Sequence, residues 1–123
     1  MGYTQVSGKQ AEDLACQYLR QRGLKLLERN YNTRYGEIDL VMRDADTTVF
    51  VEVRLRQHGG MVDPVSSITP YKQRKLTRTA QYYLQQKRLH ALAPTRFDVV
   101  AVTEQDTQFH IEWIKNAFEA QGS

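Results

Sequence analysis

The chain has one cysteine, Cys16, so an internal disulfide is excluded. With Ala15 and Leu19 beside it in a helical pattern and no histidine near, Cys16 reads as a buried structural thiol, which suits a reducing cytoplasm. No stretch approaches the roughly 18 apolar residues of a membrane span, so a membrane role is set aside. The opening MGYTQVSGKQ lacks the apolar h-region of a secretory signal and the Ser or Thr of an N-myristoylation motif. Only three prolines and seven glycines punctuate 123 residues, with no repeat, linker or low-complexity run. One domain with one real core is therefore expected, its ends (1–6 and 117–123) frayed. Charge is nearly balanced, at 17 Lys and Arg against 14 Asp and Glu, which permits a polyanionic partner without requiring one.

What is present is clear alternation and clear punctuation. Ser7 with Gln10 forms a capping-box pattern ahead of Ala11, Leu14, Ala15, Tyr18 and Leu19, and Gly23 is a fitting stop. These predict an amphipathic helix over 8–22, followed by a short strand over 24–30. Residues 36–54 read as a hairpin. The stretch RQHGGMVDPVSSI, with paired glycines and a proline, predicts an exposed mobile loop. Thr69 caps a second helix with Pro70 at its first position, its apolar stripe running from Leu76 through Leu84. Two strands, RFDVVAV and FHIEWI, surround TEQDT, and a short helix or tail ends the chain. Helix, three strands, helix and two strands predict an α/β or α+β domain, a mixed sheet with helices on its faces.

The hairpin GEIDLVMRDADTTVFVEVR carries Glu37, Asp39 and Glu52 inside its apolar runs rather than in its turn. If the turn centres between Ala45 and Asp46, Ile38, Leu40 and Met42 face Val53, Val51 and Val49 on one apolar side. On the other side Glu37 meets Arg54, Asp39 meets Glu52, and Val41 meets Phe50. Asp39 and Glu52 then have Cβ atoms about 4.5–5.5 Å apart, a destabilising juxtaposition of like charges. Such a pair either raises a pKa or recruits a cation, and Mg²⁺ suits two hard carboxylates. Arg54, on the same side, could steady an anion. Solvated edge acids paired with arginine remain the alternative, and Asp44 and Asp46 read as turn formers.

GEIDLVMRD, VFVEVRLR, the helix containing YKQRKL and the strand RFDVVAV together resemble the YraN-like family of uncharacterised bacterial proteins. Members of that family are assigned to the restriction-endonuclease-like, PD-(D/E)xK nuclease superfamily. The likeness runs from about residue 8 to about residue 116. It implies a restriction-endonuclease-like core with a mixed central sheet of about five strands, and phosphodiester hydrolysis using Mg²⁺ or Mn²⁺. It also implies Asp39 and Glu52 as metal ligands and Glu12, on the first helix, as an accessory acid; the alternative for Glu12 is a solvated helix-face carboxylate. Two positions depart from the pattern. Ile38 replaces the proline, which costs little; Arg54 replaces the lysine, and arginine cannot shed a proton to activate water.

Lys72, Lys75 and Arg78 recur on one face of the second helix, with Arg74 off it, and can lie along phosphates; a solvated face is the alternative. Arg56 continues the row of Glu52 and Arg54 and can border the same path, with His58 next in the loop. His90 and His110 have no nameable partners, and Asp98 reads as structural. No aromatic row suggests base stacking. The expected function is therefore a metal-dependent nuclease on nucleic acid, DNA above RNA, compatible with a homodimer. The rivals are a non-catalytic nucleic-acid-binding module and a protein-interaction scaffold.

Overall fold

The computed structural model describes residues 7–57, 63–89 and 93–121. In chain order these form α1 (Gly8–Gln21), β1 (Lys25–Thr33), β2 (Gly36–Asp44), β3 (Thr47–Gln57), α2 (Pro70–Gln86), β4 (Thr95–Gln105) and β5 (Gln108–Phe118). The strands make one sheet in the order β1-β2-β3-β4-β5. Only the β3–β4 pair is parallel, and α2 is its crossover. This is the expected mixed five-stranded α/β architecture.

Local chemistry explains the helix ends. Ser7 Oγ accepts from Gln10 N at 3.1 Å while Gln10 Oε1 accepts from Ser7 N at 2.8 Å, closing the capping box. At the other end Leu24 N donates to Leu19 O and Gly23 N to Arg20 O, with Gly23 at φ 97, a Schellman stop. Thr69 Oγ1 accepts from Lys72 N at 3.1 Å, and Pro70 opens α2 as expected.

Each helix covers one face of the sheet. Ala11, Ala15, Cys16 and Leu19 of α1 pack on Leu40, Met42, Val49, Val51, Val100 and Val102. Leu76, Ala80 and Tyr83 of α2 pack on Val41, Phe50, Phe97 and Val99. Cys16 is buried, as its pattern suggested.

Three expectations change. Residues 115–118 continue β5 instead of starting a short helix or tail, so 117 and 118 are not frayed. β3 runs on through Gln57, and residues 63–68 form a turn in which Asp63 accepts from Val65 N and Ser66 Oγ; His58 and the glycines of that loop lie outside the described residues, as does His90. The third change is that Ile38 does not share a face with Leu40 and Met42. Ile38 and its β1 partner Tyr31 belong to the α2 side, whereas Leu40 is on the α1 side. The alternation breaks at Asp39 and, opposite it, at Asn30, which sits in the left-handed region at φ 51. Asparagine tolerates that region better than most residues.

Asp98 anchors the far side of the sheet. It is fully buried and accepts from Arg96 Nε at 3.0 Å, Trp113 Nε1 at 3.0 Å and Asn116 N at 2.9 Å. Arg96 also reaches Asp44 at 2.9 Å, so Asp44 does more than form a turn. Asp98→Ala leaves the Arg96 Nε–H, an indole N–H and a backbone N–H without their acceptor, although Arg96 keeps Asp44. Denaturant unfolding should show a loss of about 3 kcal/mol or more.

Candidate metal centre and basic groove

β2 and β3 pair as predicted from Asp44–Thr47 to Leu40–Val51, and there the regular pairing ends. Beyond it the Val53 N–H is taken by Asp39 Oδ2 at 2.8 Å, a side chain standing in for the sheet ladder. Asp39 therefore sits where the strands part and the faces exchange. From there its carboxyl meets that of Glu52, which is 6 % exposed on β3. The predicted meeting holds, although the two residues are one pair past the ladder rather than within it. The expected opposition of Glu37 and Arg54 does not form, because the pairing of β2 with β3 ends at Leu40 and Val51.

Electrostatics mark this pair as unusual. Burial, then the charge of Glu52, pushes Asp39 up from 3.8 to about 7. Burial also raises Glu52, against the pull of Lys72 and Arg54. Both carboxyls are therefore more readily protonated than ordinary ones. Lys72 Nζ lies 3.8 Å and Arg54 Nε 3.7 Å from Glu52 Oε2. Arg54 also donates to Ser67 O at 3.4 Å, while its buried Nε has no hydrogen-bond acceptor among the described residues.

Glu12 projects from α1 toward the same centre. Burial and then the charge of Asp39 raise its pKa, while Arg29 lowers it. Arg29 lies 3.6 Å from Glu12 and is bound more tightly to Asp13 at 2.6 Å. The Asn30 amide stands 3.0 and 3.1 Å from the two Glu12 oxygens, with its nitrogen on that side. Glu12 is thus drawn into the acidic centre rather than left as an ordinary solvated helix carboxylate.

Among the described residues, no group of three or more His, Cys, Asp or Glu side chains forms a ready cage. The donor chemistry nevertheless fits a hard divalent cation. Mg²⁺ is held by one or two carboxylates with water and substrate phosphate completing its shell. Asp39 and Glu52 are such a pair, and a bound cation would relieve the like-charge repulsion that raises them.

The predicted basic residues divide into three groups. Lys72 turns to Glu52. Lys75 and Arg78 line a groove of about 800 Å³ between the β1–β2 turn and α2. Arg56 is held 3.7 Å from Glu112 of β5 and is not among the groove residues. Arg74, set off the row in the sequence, lines the groove, as do Arg34, Tyr35 and Tyr71, which sequence reasoning missed. Arg34 and Tyr35 lie in the β1–β2 turn, far along the chain from α2, and only the tertiary fold joins them. His110 is exposed on β5. Among the described residues, no helix is long and apolar enough to cross a membrane.

Comparison with known proteins gives one consistent family. A UPF0102 protein of Stutzerimonas stutzeri is 49 % identical over 120 residues, covering 98 % of this chain and 100 % of the relative. One from Nitrosococcus oceani is 48 % identical over 114 residues, covering 93 % and 92 %. One from Pseudomonas aeruginosa is 48 % identical over 115 residues, covering 92 % of each. The model of the uncharacterised protein family UPF0102 matches residues 11–102. These matches span both the carboxylate pair and the basic helix, and the chain belongs to the UPF0102 family, the YraN-like group its motifs resemble.

Proposed function

We propose that this protein is a nuclease of restriction-endonuclease-like design that hydrolyses phosphodiester bonds of nucleic acid, DNA above RNA, with Mg²⁺ or Mn²⁺. The observation that carries the reading is the meeting of Asp39 and Glu52, desolvated and coupled, with two cations beside Glu52. A fold keeps two carboxyls together in a poorly solvated place at a cost to stability. Binding a cation there gives that cost a purpose.

Asp39 and Glu52 would hold the ion, with Glu12 as an accessory acid. When bound, the ion supplies Lewis-acid activation of water and neutralises charge at phosphorus. Arg54 has a buried donor without an acceptor next to this centre, suited to a phosphoryl oxygen. It does not remove a proton. The ammonium that the strand motif lacks is provided in space by Lys72, which reaches Glu52 from α2. Lys72 can position the scissile phosphate from α2.

One observation favours a second reading. Arg54 in the lysine position suits a module that binds nucleic acid and no longer turns it over. Such a module binds DNA equally well in EDTA and with Asp39→Asn. The deciding experiment incubates the protein and Mn²⁺ with branched, nicked and single-stranded DNA. Cutting of at least one substrate above an Asp39→Asn control is expected, and no cutting on any of them removes the enzyme claim.

A further inference from the structure

The groove between the β1–β2 turn and α2 has a composition that phosphate binding alone does not explain. Among the described residues four cations line it, Arg34, Arg74, Lys75 and Arg78, and no carboxylate does. None of the four makes a salt bridge among the described residues. Two aromatic rings stand among them. Tyr71 is 65 % exposed at the start of α2, with Lys75 Nζ 5.6 Å from its ring centre. Tyr35 is covered by Arg34 at 5.0 Å and Arg78 at 4.8 Å, and braced edge-on by Tyr82 at 5.7 Å.

The groove is also built rather than incidental. Gly36, at φ 154, lets the β1–β2 turn lie close against α2; a Cβ there would come 3.1 Å from Thr79 Oγ1. Thr33 Oγ1 accepts from Tyr35 N and donates to Gly36 O, which fixes the turn. Gln121 N donates to Thr77 Oγ1 at 3.0 Å, bringing the chain after β5 to the groove wall.

We propose that this groove captures an unpaired nucleotide of a single-stranded stretch of nucleic acid, its base stacked on Tyr71 and its phosphates among the guanidinium groups. A duplex keeps its base faces stacked inside and offers proteins only edges and backbone, so an exposed ring among unpaired cations serves strands whose bases are free. Asp39 lies three residues after Gly36 on β2, and Lys72, which reaches Glu52, lies three residues before Lys75 on α2, so both walls of the groove run along the chain toward the carboxylate pair. From Lys72 to Arg78 the helix rises about 9 Å, room for one or two nucleotides of an unstacked strand. Resting on the nuclease reading, the inference narrows the substrate to nucleic acid with an unpaired segment next to the scissile bond.

The test measures anisotropy of a labelled oligo-dT of about a dozen nucleotides and of a blunt duplex of similar length, in EDTA. Oligo-dT is expected to bind more tightly than the duplex. Tyr71→Ala should weaken oligo-dT binding about tenfold, with duplex binding and melting temperature unchanged. Arg74→Gln should weaken oligo-dT binding and make it less salt-dependent. The inference is overturned if Tyr71→Ala leaves oligo-dT affinity unchanged or lowers both affinities alike. It is equally overturned if dTMP or an acidic peptide binds as well as oligo-dT. Because the ion is chelated, failure here is separate from failure of the nuclease reading, which would appear as no Mn²⁺-dependent cutting above the Asp39→Asn control.

Discussion

Asp39→Asn is expected to reduce Mn²⁺-dependent cleavage by at least about a hundredfold, since even the indirect supports of a metal ligand are commonly worth 10- to 100-fold. The substitution is conservative in the respect that matters for folding. An asparagine carbonyl can still accept the Val53 N–H that Asp39 accepts at 2.8 Å, so the parting of β2 and β3 is preserved. What is lost is one negative charge and one hard oxygen donor facing Glu52. Glu52→Gln should give a loss of the same order. The double variant should be little worse than either alone, because both residues serve one site and their effects do not add. A steady-state assay on whichever DNA the wild type cuts, at saturating Mn²⁺, measures all three. Equal cleavage by Asp39→Asn and wild type would separate any activity from this site.

The same residue should control stability in the opposite sense. In the fold Asp39 titrates near 7, against 3.8 for the ordinary carboxyl. The folded state therefore holds a proton that the unfolded chain gives up earlier. The stabilisation that this provides is complete below about pH 4 and is lost as pH rises through about 7. At about 1.4 kcal/mol per unit, the contribution has an upper bound of about 4 kcal/mol. Glu52, shifted the same way by burial, adds to the trend. Urea unfolding in EDTA at about pH 5 and about pH 8 should find Asp39→Asn more stable than wild type at the higher pH, with the gap shrinking at the lower. The difference between the two proteins isolates Asp39 from every other titrating group. A wild type that gains stability over Asp39→Asn as pH rises would show that the carboxyl is not held in a poorly solvated, like-charged place.

The residues explain why part of this was legible in the sequence. Capping boxes, Schellman stops and proline-opened helices are local, so Ser7, Gly23, Thr69 and Pro70 announced both helices. The hairpin register followed from segregating apolar and acidic residues around a turn at Ala45 and Asp46, and the structure keeps it as far as Leu40 and Val51. Beyond that point the reading assumed unbroken alternation. The left-handed turn of Asn30 and the break at Asp39 are tertiary accommodations, paid for by the bond from Val53, and no two-residue pattern contains them. The groove was illegible for a different reason. Tyr35 and Tyr71 lie 36 positions apart (71 − 35) on different elements, and neither belongs to an aromatic run. Arg56 misled because strand parity gives the side of a sheet but not the partner, and Glu112 of β5 lies within reach across β4.

The central claim is that Asp39 and Glu52 together hold one divalent cation. Isothermal titration of Mn²⁺ into the wild type, Asp39→Asn and Glu52→Gln at about pH 7.5, without nucleic acid, tests it directly. One bound ion per chain in the wild type, accompanied by proton release and absent from both variants, is the predicted result. Mn²⁺ binding that persists unchanged in either variant, or no binding to the wild type, would contradict it.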